Sequence, residues 1–73
     1  MWKAIVNSKA DVDSSGNIEV NFDIYLDDKL FAQSMLINGN PNDIEKMVKE
    51  VLLNLKNNVD AAKNIKVKQV ITL

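Results

Sequence analysis

No cysteine, no histidine and no arginine occur among these 73 residues, and there is only one proline and two glycines. Each absence removes a class of activity. Without Cys there is neither a disulfide staple nor a thiolate nucleophile, and without Cys or His the common zinc ligand sets cannot be assembled. The usual imidazole general base is missing too. Gly16 and Gly39 stand far apart, so no glycine-rich phosphate loop can form. All nine basic residues are Lys. Arg, the bidentate fork for phosphates and base edges, is not there to read DNA sequence. The net charge of −1 gives no broad attraction to nucleic acid or acidic lipid. These gaps predict a protein that is not an enzyme and carries no cofactor or metal.

What is present is the composition of a folded domain, with 47% hydrophobic and 26% charged residues. At this length residues 1–73 make a single domain that buries only about 60% of its unfolded surface. Stability on the order of 4–11 kcal/mol follows from typical per-residue values. With no covalent or metal staple, support must come from a well-packed core or from another chain. Asn7, Ser8 and Lys9 interrupt the opening residues, so no secretory h-region forms, and no run is long enough to span a bilayer. The expected location is cytoplasmic.

Strict alternation marks residues 17–26, where Ile18, Val20, Phe22, Ile24 and Leu26 are interleaved with Asn17, Glu19, Asn21, Asp23 and Tyr25. That period of two predicts a strand with one face on a core. Before it, Trp2, Ala4, Val6, Ala10 and Val12 mark one side of a looser strand. Asp13-Ser14-Ser15-Gly16 between them supplies turn formers, which predicts a hairpin. Asp27-Asp28-Lys29 predicts a second turn and Leu30 to Ile37 a third strand. Both rows of that strand are apolar, with Phe31, Met35 and Ile37 on one and Leu30, Ala32 and Leu36 on the other. The odd row is the expected core face, and a partner could cover the other.

Asn40-Pro41 predicts a helix start, with Asn40 as N-cap, Pro41 at the first helical position and Asp43 in the first turn. Ile44, Met47, Val48, Val51, Leu52 and Leu55 then form one apolar stripe. Val59 and Ala62 continue it, while Asn57-Asn58 predicts a fray or kink. Ile65, Val67, Ile71 and Leu73 alternate with Lys66, Lys68 and Thr72, the pattern of a last short strand. The expected order is β-β-β-α-β, an α+β fold with one amphipathic helix packed on a small three- or four-stranded, mainly antiparallel sheet. The last strand fits parallel to the first or third strand, or antiparallel if residues 58–64 run back along the sheet.

Few patterns carry chemistry. Asp11, Asp13, Ser15, Gly16 and Glu19 match much of the front of an EF-hand calcium loop, but the bidentate position falls on Phe22. The stretch reads as a hairpin turn. Asp27 and Asp28, adjacent at a turn, do not make an acid–base pair. Lys49, Lys56 and Lys63 recur every seven residues, and Lys66 and Lys68 follow. They offer a sequence-independent nucleic-acid contact, diluted by Glu45 and Asp60 and lacking interleaved aromatics. A solvated helix face explains them more simply. Leu53, opposite the helix stripe, and Leu30 and Leu36 on the third strand are the apolar positions that a single core explains least. They are the candidate protein interface, on an edge open to pairing with a partner or with a second copy.

The opening Met1-Trp2-Lys3-Ala4-Ile5-Val6, the alternating hairpin, "INGNP" before an amphipathic helix and a short closing strand together resemble small proteins of unassigned function encoded by phages and prophages, often among virion genes. The resemblance brings no catalytic residue with it. It implies an assembly or accessory role, in the host cytoplasm or the virion. The Lys-only, Asn- and Ile-rich composition suits an AT-rich genome.

Overall fold

The computed structural model describes all 73 residues. Three strands and one helix follow one another: β1 (Trp2–Lys9), β2 (Ile18–Leu26), β3 (Lys29–Gly39), a 3-10 turn (Pro41–Asp43) and α1 (Ile44–Ala62). The sheet is antiparallel in the order β1-β2-β3, so β2 is central and both outer strands have a free edge. The α+β architecture expected from the alternation and the helical stripe is the one observed.

The alternating row of β2 forms the core. Ile18, Val20, Phe22 and Ile24 are the buried hydrophobic residues, with Phe22 at 0% and Ile24 at 1% exposure. Opposite them on β1 stand Val6 across from Phe22 and Ala4 across from Ile24. On β3 the partners are Leu36 for Val20, Ser34 for Phe22 and Ala32 for Ile24. The even row of β3 therefore shares the core face, contrary to the expectation that Phe31, Met35 and Ile37 would fill it. Met35 and Ile37 are exposed, while Ala32, Ser34 and Leu36 are half-buried. Register with β2 decides the matter: the fully buried Phe22 ring lies beside two small side chains.

Irregularities sharpen the departure. The ladder steps from Ile24–Ala32 to Tyr25–Leu30, which leaves Phe31 as the extra residue of a β-bulge. Its ring meets Trp2 edge-on, with centroids 4.9 Å apart. A second step between Ile18–Gly39 and Val20–Leu36 coincides with Asn38 at φ 57°. On β1 the extra residue is Asn7, whose amide donates to Asp23 Oδ1 at 2.9 Å. That bulge ends the row Trp2, Ala4, Val6. Ala10 and Val12 consequently lie beyond β1 and are exposed.

Acidic residues shape both turns, the first through its carboxylate on the backbone and the second through its backbone conformation. Asp13 Oδ1 accepts from the N–H groups of Ser15 and Asn17, each at 2.9 Å, and Gly16 takes φ 81°. Asp27 and Asp28, at φ 50° and 65°, form the two-residue turn between paired Leu26 and Lys29. Such a turn requires positive φ at both centres, which Asp tolerates. Asp28 also accepts from Lys3 Nζ at 2.9 Å, and the N-terminal ammonium pairs with Asp27.

The helix starts where the sequence indicates. Asn40 Oδ1 accepts from the Asn42 N–H at 3.0 Å, and Pro41 opens the 3-10 turn. Gly39 is buried because a Cβ there would stand 2.6 Å from Ile44 Cδ1, so the chain passes tightly under the first helical turn. Helix α1 then runs unbroken through Asn57 and Asn58, without the anticipated interruption. Its stripe of Ile44, Met47, Val48, Val51, Leu52, Leu55 and Val59 is only half-buried, and no helical residue is fully covered.

Residues 63–73 do not form the expected last strand. Their backbone groups close local turns instead: Asn64 N–H to Ala61 O, Ile65 N–H to Ala62 O and Gln69 N–H to Lys66 O. Lys68 sits at φ 66°. This turn breaks the alternation in the middle, separating Ile65 and Val67 from Ile71 and Leu73. All residues from 61 to 73 are exposed.

The molecule is thin and long, 52 × 32 × 15 Å, with a radius of gyration of 16.1 Å. A compact chain of this length has a radius of roughly 11 Å. With so small a core, Phe22→Ala is expected to cost about 3–5 kcal/mol, a large share of the total. Urea unfolding monitored by circular dichroism would show it, and a loss under about 1 kcal/mol would contradict the burial of Phe22.

The Lys3–Asp28 pair gives a pH prediction. The hydrogen bond from Lys3, then its charge, holds the Asp28 carboxyl below its usual 3.8. The folded chain thus gives up this proton more readily than the unfolded chain. The small contribution is complete above the unfolded value and disappears as pH falls through the lowered one. Replacing Lys3→Met is expected to move the Asp28 titration midpoint, read by NMR, upward towards 3.8; no movement would mean the pair does not form in solution.

Candidate interaction surface

The three lysines of the seven-residue series are each engaged by an acid. Lys49 Nζ lies 3.2 Å from Glu45, Lys56 Nζ 3.2 Å from Asp60, and Lys63 Nζ 3.7 Å from the other oxygen of Asp60. The hydrogen bond from Lys56, reinforced by its charge and then by Lys63, lowers the Asp60 carboxyl below its ordinary range. The seven-residue lysine stripe is therefore interleaved with acid along the helix. Lys66 and Lys68 lie on the turned tail and make no ion pair.

The three leucines of the expected interface lie apart. Leu53 is exposed on α1, and Leu30 is exposed beside Tyr25 at the second turn. Leu36 is half-buried on the core face opposite Val20. Leu30 and Leu36 thus belong to opposite faces of β3, because alternation and the Phe31 bulge separate them. No single patch unites the three.

A different apolar feature is formed by residues first assigned to the core. Helix α1 meets the sheet mainly at β1, and the two elements leave an open trough of about 350 Å³ between them. Ala4 and Val6 line it from the strand, and Ile44, Val48 and Leu52 from the helix, with Glu45 and Lys49 at its margin. Its long side lies along β1, a strand without an outer neighbour. The sequence did contain a signal for it. A helix stripe of seven positions and five strand rows supply more apolar side chains than one helix on three strands can cover.

Elsewhere the exposed sheet face is polar at its centre. Asp23 Oδ1 accepts from Asn7 and, at 3.3 Å, from Gln33, while Asn21 donates to Ser8 Oγ at 3.2 Å. Lys3 Nζ lies 5.7 Å above the Tyr25 ring. Ile5 and Met35 remain exposed.

The calcium-like stretch resolves into hairpin chemistry. Asp13 spends one carboxylate oxygen on two backbone N–H groups, and Phe22, at the position of the bidentate ligand, is fully buried. No three acids of the chain gather to hold a metal ion. No helix is long and apolar enough to cross a membrane.

The accessible surface totals 5929 Å². The scaling for folded monomers gives about 4,500 Å² for this mass, so roughly 1,400 Å² is in excess. Standard interfaces remove about 800 Å² per partner and obligate dimers more. The excess is of the size a stable protein interface covers. No family model, curated protein or solved structure matches this chain.

Proposed function

We propose that this domain is a non-enzymatic building block that works by protein–protein contact, first of all with copies of itself, in the setting of phage or prophage particle assembly. The excess of accessible surface, much of it aliphatic, carries this reading. Val6, Ile37, Val67, Val70 and Ile71 are more than half exposed, and the helix stripe is incompletely covered. Scattered exposed apolar residues are ordinary on a monomer. Here they coincide with two free sheet edges, an open trough and a core of four hydrophobic residues, and that combination suits a protomer.

The resemblance of the opening segment and the "INGNP" turn to small phage proteins supports the assembly setting. The lysine reading is weaker, because Lys49, Lys56 and Lys63 are offset by Glu45 and Asp60 at short range. A phosphate contact draws on uncompensated cations, and single-strand binding adds stacking aromatics, of which none is interleaved with these lysines.

Sedimentation equilibrium over a wide concentration range, at low and high salt, tests the proposal. The expected mass is a defined multiple of 8.2 kDa that persists in high salt, since the proposed contact is made by apolar side chains. A single 8.2 kDa species at every concentration, with salt-sensitive DNA binding, would overturn it.

A further inference from the structure

We propose that residues 65–73 of one chain add as a strand to the free edge of β1 in a second copy, with their apolar row laid against the trough between β1 and α1. This rests on the self-association proposed above and names the surfaces that perform it.

Three observations meet at this pairing. The first is sequence pattern. Ile65, Val67, Ile71 and Leu73 share one row, broken once by Gln69, and Lys66, Lys68 and Thr72 share the other with Val70, so the segment has the pattern of a strand although it stands unpaired. Val67 is 94% exposed and Ile71 82%, values that leave their side chains without apolar neighbours. The second is length. Nine extended residues span about 30 Å, enough to follow all eight residues of β1.

The third is shape and chemistry at the receiving edge. Strand β1 presents unpaired backbone groups on its outer side, and beside them Ala4, Val6, Ile44, Val48 and Leu52 line a hollow of about 350 Å³. A strand added there continues the sheet by one place and turns alternate side chains towards the overhanging helix. Main-chain hydrogen bonds supply the attachment and the hollow selects the apolar row.

A second copy is the recipient because residues 65–73 are exposed and turned on themselves in their own chain, leaving that chain's trough open. Exchange in both directions covers one tail and one trough on each chain, against roughly 1,400 Å² of excess surface per chain. The tail is also held back in its own molecule. Its turn is closed by Gln69 N–H to Lys66 O at 3.0 Å and by Lys66 N–H to Gln69 Oε1 at 2.8 Å, with Lys68 in the left-handed region. Straightening the segment opens these two bonds and releases Lys68 to an extended φ, and the new ladder replaces them. Pairing is reciprocal, so the interface is self-complementary as a two-fold dimer requires.

The test uses the full chain, with Ile71→Asp and Val67→Asp variants. Both residues are exposed in the single chain, so the variants are expected to keep the wild-type circular dichroism spectrum. Two readouts apply: sedimentation equilibrium, and isotope-filtered NMR on a mixture of labelled and unlabelled chains. The expected result is a wild-type dimer, dissociation constants raised at least about 100-fold by either substitution, and cross-chain contacts between tail methyl groups and Ala4 or Val6. Wild-type association that neither variant weakens, without those contacts, would overturn the tail assignment and leave self-association standing. A wild-type monomer whose tail methyls contact β1 only within the same chain would overturn both.

Discussion

Burial of the Phe22 and Ile24 side chains against helix and sheet is the contact on which the rest depends. Only β2 has strand neighbours on both sides, and only its inward row is sealed from water. The register of both outer strands is set by that row, since slipping either by one residue would exchange its faces. The bulges at Asn7 and Phe31, and the left-handed Asn38, allow β1 and β3 to keep this register over their central portions. Gly39 then lets Ile44 close over the end of the sheet, which fixes where α1 begins. The helix extends from this point with support from one flank only.

That one-sided support explains why a molecule with strong local structure has so little interior. The turns at Asp13–Asn17 and Asp27–Asp28 and the Asn40 cap are all satisfied within a few residues of sequence. Surface ion pairs along α1 are solvent-screened and add little. None of these substitutes for apolar burial, and the stripe from Ile44 to Val59 remains half in water. A second chain laid along β1 would place protein on the open flank of the helix and on the free edge of the sheet together.

Local chemistry was the legible part of the sequence. The row Ile18 to Leu26 admits one facing, Asn40-Pro41 admits one helix start, and the Asp, Ser and Gly of residues 13–16 are used as turn formers. The facing of β3 was not legible, because Leu30 to Ile37 is apolar on both rows. Only the register with β2 chooses Ala32, Ser34 and Leu36, and the Phe31 bulge cannot be read from composition. The absence of a last strand is not legible for a related reason. Alternation in residues 65–73 states what the segment can pair as, while pairing itself needs an edge within reach. Of the three leucines that one core explains least, Leu30 and Leu53 are exposed, whereas Leu36 lies on the core face opposite Val20. The trough was missed because Ala4, Val6, Val48 and Leu52 look like core, and its openness depends on how much protein lies beyond β1.

Taken together, the chain presents a small sheet sealed along its centre and unfinished along one flank, and a tail with the pattern of the missing strand. Amide hydrogen exchange at low and high protein concentration tests this division most directly. The β2 amides should be protected to the same degree at both concentrations, while those of β1 and residues 65–73 should gain protection together as concentration rises. Equal protection of β1 at both concentrations, with residues 65–73 exchanging freely throughout, would show that the flank is complete in the single chain and contradict the division.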